Sequence, residues 1–176
     1  NDKFITLPSN LNKHSLCCLV KSRFSQGVSN MQFVQLIHTS EIIAHASEAE
    51  ELDILRKAKE KHLTKRVSGL MFYHNKRCVQ LLEGKEDDVM ASFEEMKKDP
   101  NHRNVTLAAK NSTDKVSLPT WAVAYFSKTL PKSVQKNHPS ILNQEQAHAV
   151  LASLDHAIGQ VFLTTFEKYA IDQQEI

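Results

Sequence analysis

The chain has 176 residues and a formal net charge of +2, long enough for one domain with a real core. Hydrophobic residues make up 41% and charged residues 24%, an ordinary globular balance without the basic excess that marks a nucleic-acid binder. No apolar run approaches the roughly 20 residues needed to span a bilayer, so no membrane partner is expected. Three cysteines, two of them adjacent at Cys17 and Cys18, make no disulfide framework and point to a reducing compartment. The opening NDKFITLPSN lacks the basic and apolar regions of a signal peptide, and the expected localisation is cytoplasmic. The basic residues cluster once, in KAKEKHLTKR (Lys57–Arg66). At a helix end the dipole favours such cations, so the cluster does not by itself indicate nucleic acid.

Residues 1–13 read as an irregular leader and residues 14–22 (HSLCCLVKS) as a short β-prone strand or extended arm. Turn chemistry follows at Gln26–Met31. Gln32–Ser40 is the first core strand, with Val34, Leu36 and His38 on one face. Ser47 and Glu50 form a capping-box signature that opens a helix over Glu48–His62. Leu52, Leu55, Ala58 and His62 recur at helical spacing there, which places His62 near the apolar stripe. Val67–Gly84 (VSGLMFYHNKRCVQLLEG) reads as a β-hairpin turning at Asn75-Lys76, with Gln80 the one uncharged polar residue in its return strand. A buried polar residue needs a partner, either protein or ligand. Glu86, Asp87 and Asp88 open a second helix, which Asp99-Pro100 ends. Val105–Ala109 and Trp121–Phe126 are strands separated by a polar loop at Asn111–Pro119.

The order is βαββαβ, a ferredoxin-like α+β pattern with an extra strand. The strands are apolar on both faces, so a second layer must cover the sheet. Apolar residues recurring from Ala147 to Tyr169 supply it, as one amphipathic helix from Gln144 or as two broken near Gly159. If that helix overhangs the sheet, Phe162, Phe166 and Tyr169 form an exposed partner-binding stripe; if it bends, they are buried. The expected organisation is an N-terminal extension (1–30), a core domain (31–126) and a C-terminal helical extension (127–176).

Residues 31–126 resemble the BLUF domain, a flavin-binding blue-light sensor. LIHTSE (Leu36–Glu41) resembles its first-strand motif, VSGLMFY (Val67–Tyr73) its G-L-L-x-Y run and VQLLEG (Val79–Gly84) its Q-x-L-E-G run. KKDPNHRN (Lys97–Asn104) resembles the segment after its second helix. The resemblance implies a flavin ring between two helices over the sheet, with a Tyr electron donor, a Gln that rearranges, and a pair of Asn residues clamping the ring. Carried over by position, the Gln is Gln80 and the Trp is Trp121. The Tyr position is His38, the Asn pair is Lys61 and His62, a customary Met is Val123, and the glycine opening the hairpin motif is Arg66. Imidazole is a poorer photo-oxidation donor than a phenol, and Lys61 lacks the acceptor of an amide. These departures lead to the expectation of a vestigial pocket with no cofactor, in a non-photosensory interaction module. Divergent animal members, expressed in testis, extend that expectation to protein partners in a cilium or sperm-flagellar axoneme.

The alternative is a bound FAD with altered photochemistry, using Gln80, His38 and His62 around the ring. A third reading takes His38, His62 and His74 as a metal or acid–base set, but no H-x-x-x-H or C-x-x-C spacing supports it. No enzyme activity is therefore expected.

Overall fold

A computed structural model describes residues 32–43, 47–126 and 138–171. The arm anticipated at residues 14–22 lies outside them. A six-stranded mixed sheet runs in the order β4-β1-β3-β2-β5-β6, built from β1 (Phe33–Ile42), β2 (Ser68–His74), β3 (Arg77–Lys85), β4 (His102–Thr113), β5 (Trp121–Tyr125) and β6 (Ile141–Leu142). Helices α1 (Glu48–Thr64) and α2 (Glu86–Met96) pack on one face. On the other lie α3 (Gln144–Ala152), α4 (His156–Phe166) and a π-helical turn, Glu167–Ile171. Among the described residues no helix is long and apolar enough to cross a membrane.

Strand alternation divides the core. Val34, Leu36, Cys78, Leu82, Met71, Trp121 and Val123 are buried with Val89 and Phe93 of α2. The intervening Ile37, Leu70, Phe72, Val79 and Leu81 are buried with Leu151, Ile158 and Phe162 of the C-terminal layer. Near-continuous apolar strands are the sequence mark of a sheet covered on both faces.

Local chemistry sets the joints. The Ser47 hydroxyl accepts from the Glu50 amide at 3.3 Å and starts α1. Asn75 and Lys76 both take left-handed φ angles, 46° and 68°, and close the β2–β3 hairpin. Arg66, at φ 57°, opens β2 in the same conformation, one that suits a glycine better than a branched chain. Gly69 is fixed by close approach: a Cβ there would stand 2.4 Å from the Leu81 carbonyl oxygen.

The C-terminal layer differs from both forms expected of it. The break falls at Ser153–Asp155, not at Gly159, because the Asp155 carboxylate accepts from the Ala157 amide and starts a new helix. Gly159 sits inside α4. Phe162 and Phe166 are buried edge-on against Phe72, at centroid distances of 4.9 and 5.2 Å. Tyr169 is half-buried under Arg77. Phe162 and Phe166 are therefore core and not an exposed stripe, and Tyr169 alone of the three stays partly exposed. The polar loop expected from residue 111 is also shorter, since β4 runs on to Thr113.

Candidate functional site

Six positions were marked by the sequence, and the structure gathers three of them around one chamber. It is about 60 Å³, lies between the sheet and α1, and is lined by His62, Gln80 and Trp121 with Met71, Tyr73 and Tyr125. It shares His62, Ile54, Ala58, Met96, Asn101 and His102 with a cleft of about 220 Å³ between α1 and α2. Lys61 lines that cleft, together with Lys57 and Ser92. His38 is wholly buried beside Gln80, its cross-strand neighbour, and lines neither space. Val123 is buried and lines a separate groove against α1.

Gln80, 1% exposed, finds its partner in His62. Its amide nitrogen lies 3.4 Å from His62 Nε2. Neither ring nitrogen of His38 has a hydrogen-bond partner of good geometry among the described residues. If Gln80 donates, His62 Nε2 accepts and its proton sits on Nδ1. Burial is the first cause holding the His62 pKa down to about 4, with the Lys61 and Lys65 charges adding to it. Burial, then the nearby His102, likewise pushes His38 down to about 3. Both rings are neutral near pH 7.

Three buried polar atoms around these spaces have no hydrogen-bond partner among the described residues: His62 Nδ1, Trp121 Nε1 and Ser92 Oγ. The indole nitrogen, and Nδ1 of the tautomer just assigned, can only donate; the hydroxyl can do so. An unfilled buried donor costs about 1–3 kcal/mol unless something accepts from it. A flat ring edged with carbonyl oxygens has the chemistry these donors lack, and the stacked His62 and Trp121 rings supply a π surface. The residues fit a flavin ring in kind. Chamber and cleft, about 60 and 220 Å³, together come just short of the roughly 300 Å³ at which small-molecule pockets begin, so a ring would need both spaces and some widening between them.

Sequence reasoning missed Tyr73, Tyr125, Ser92 and His102. A signal existed for the tyrosines: each follows by two or four residues a position whose side chain faces α1, Met71 and Trp121. Ser92 is likewise one turn before Met96 on α2.

Other groups nearby are structural. Ser40 Oγ lies 2.9 Å from Cys78 Sγ and 3.0 Å from His102 Nδ1. Ser40 and Cys78 are fully buried, and burial pushes the thiol up to about 11, far from a reactive thiolate. No group of His, Cys, Asp and Glu among the described residues could hold a metal. Glu83 is also fully buried, and its carboxylate accepts from the Gln35 amide at 2.5 Å and the backbone amides of Ser117 and Leu118 at 3.0 and 2.8 Å.

A search of the curated proteins gives no match. Solved structures do match. The chain is similar to BlrP1 BLUF (TM-score 0.56, 16% identity, covering 81% of this chain and 93% of that one). It is also similar to BlsA in its photo-activated state (TM-score 0.50, 21% identity, 75% and 92%). Klebsiella pneumoniae BlrP1 with FMN and cyclic diGMP is similar at TM-score 0.56 and 16% identity, over 78% of this chain and 35% of that one. At these identities the likeness shows the fold. The family model described as sensors of blue-light using FAD matches residues 33–124. That description overturns the expectation that the pocket belongs to no cofactor, and the alternative, FAD, is the one that fits. With its model spanning half the sequence and its fold reproduced, the chain belongs to the BLUF family, whose fold is that of a flavin-binding blue-light sensor.

Proposed function

We propose that this chain binds a flavin in the chamber and cleft between α1, α2 and the sheet, with photochemistry altered from that of its family. The unfilled donors His62 Nδ1, Trp121 Nε1 and Ser92 Oγ carry this reading. His62, Gln80 and Trp121 would hold the ring, with Tyr73 and Tyr125 completing the wall. A bound flavin absorbs blue light and, when excited, accepts an electron from a nearby donor. The residue at the family's donor position is His38, neutral, buried and a weaker donor than a phenol. Gln80 is held by His62, and His38 stands where the family has its tyrosine, so the usual coupling between a tyrosine donor and the glutamine is altered on the protein side.

The role assigned is that of a ligand-responsive module and not of a catalyst. FAD added to the full chain, followed by gel filtration and an absorption spectrum, tests the reading. A yellow protein whose flavin co-elutes supports it; a colourless one overturns it. Protein partners in a ciliary or flagellar axoneme rest only on the resemblance to divergent animal members. Localising the tagged chain in ciliated cells tests that setting, and exclusion from cilia ends it.

A further inference from the structure

The cleft between α1 and α2 has a charged mouth. Lys57 and Lys61, one turn apart on α1, line it, and inside it stand the buried and unpartnered Ser92 Oγ and His62 Nδ1. Lys61 Nζ is 2.9 Å from a carboxylate oxygen of Glu95 on α2, and Lys65 engages the other oxygen. One carboxylate thus ties the two helices together across the mouth. Lys61 and Glu95 are about half exposed, so their pair is weak and readily exchanged in water, while the less exposed Lys65 keeps its hold on Glu95. A second anion arriving at Lys61 competes with Glu95 on nearly even terms, and a phosphate brings more charge and more acceptor oxygens than a carboxylate.

We propose that Lys61, supported by Lys57, is a phosphate subsite, and that the phosphate of a phosphorylated flavin displaces Glu95 from Lys61 when the ligand binds. This rests on the reading that chamber and cleft accept the flavin ring. It assigns a selectivity that the ring contacts cannot supply, because riboflavin and FMN share the same ring and differ in the phosphate. The Lys61–Glu95 pair is then a latch, closed without ligand and opened by the ligand's own charge. Lys57 stands in reserve: its ammonium is paired with Asp53 at 2.6 Å within α1, an exposed pair that is as easily exchanged.

The test titrates the full chain with riboflavin and with FMN, following the fluorescence of the isoalloxazine, at low and high salt. FMN is expected to bind on the order of tenfold more tightly than riboflavin at low salt, with the ratio shrinking as salt screens it. Lys61→Gln should remove most of that ratio. Glu95→Gln should enlarge it, since the competing carboxylate is gone. Both changes lie on exposed helix surface, and the ratio cancels any common effect on folding. Equal binding of FMN and riboflavin overturns the subsite and leaves the flavin reading standing. A Glu95→Gln ratio below that of the unaltered chain overturns the latch. Binding of neither flavin ends both.

Discussion

The imidazole of His62 lies stacked on the indole of Trp121, with ring centroids 5.5 Å apart and planes inclined by 23°. The contact joins the last turn of α1 to the first residue of β5 and forms one wall of the chamber. Trp121 is the only tryptophan in the sequence and is 2% exposed, so its emission reports on this wall. The native chain should emit at the short wavelengths of a buried indole and shift to the red on unfolding. Added FAD should quench the emission in proportion to occupancy. Emission that FAD leaves untouched places the ligand elsewhere.

Acid should weaken the fold well before ordinary carboxylates titrate. His38 and His62 have folded pKa values near 3 and 4, below the unfolded value of 6.5. The unfolded chain therefore binds protons that the native chain refuses, and stability falls as the pH drops through 6.5 toward those values. Groups facing them are His102 on β4, Gln80 on β3, and Lys61, Lys65 and Glu95 at the cleft mouth. Each tenfold rise in proton concentration below pH 6.5 costs about 1.4 kcal/mol per ring. Urea unfolding should accordingly show a loss of roughly 3 kcal/mol or more between about pH 7 and pH 5. His38→Asn should flatten that slope, whatever it does to stability at neutral pH. An unchanged slope would mean the ring is not buried neutral.

The Glu83 carboxylate on β3 accepts one hydrogen bond from Gln35 on β1 and two from the backbone of the loop before β5. Glu83→Ala strands the Gln35 amide and two backbone amides and should cost about 3 kcal/mol or more in urea unfolding. Glu83→Gln keeps acceptor capacity on one atom and should cost less. Equal costs would assign the effect to packing and not to the hydrogen bonds.

Two backbone sites at the start of the hairpin, Gly69 within it and Arg66 in the turn that leads into it, should respond in opposite directions. Gly69→Ala pushes a methyl against the Leu81 carbonyl and the Trp121 ring, with an expected cost of about 3 kcal/mol. Arg66→Gly relieves a left-handed φ and should add about 1 kcal/mol. Thermal unfolding of both variants reads the two signs directly.

The sequence made the hairpin legible because its turn, its alternation and its polar interruption at Gln80 are all local. The same holds for α1, whose start is written in Ser47 and Glu50. Strand β6 was not legible: two residues, Ile141 and Leu142, pair in parallel with β5, and no period is readable in so short a stretch. The length of β4 was hidden for another reason. It is an edge strand with irregular register against β1, so its polar residues follow no clean alternation. The fate of Phe162 and Phe166 depended on where the C-terminal helix breaks, and the break is set by Asp155, a cap with no distinctive neighbours. At the site, residue types were readable at His62, Gln80 and Trp121, while unfilled hydrogen-bonding capacity shows only once the burial of each donor is known.

Whether these unfilled donors belong to a flavin is tested most directly by the visible spectrum of the full chain, taken after incubation with FAD and removal of free ligand. Bound flavin is predicted, with weaker retention in a Trp121→Phe, His62→Leu double variant that removes two of the donors. A chain that emerges colourless, or a double variant that retains flavin as well as the unaltered chain, would contradict it.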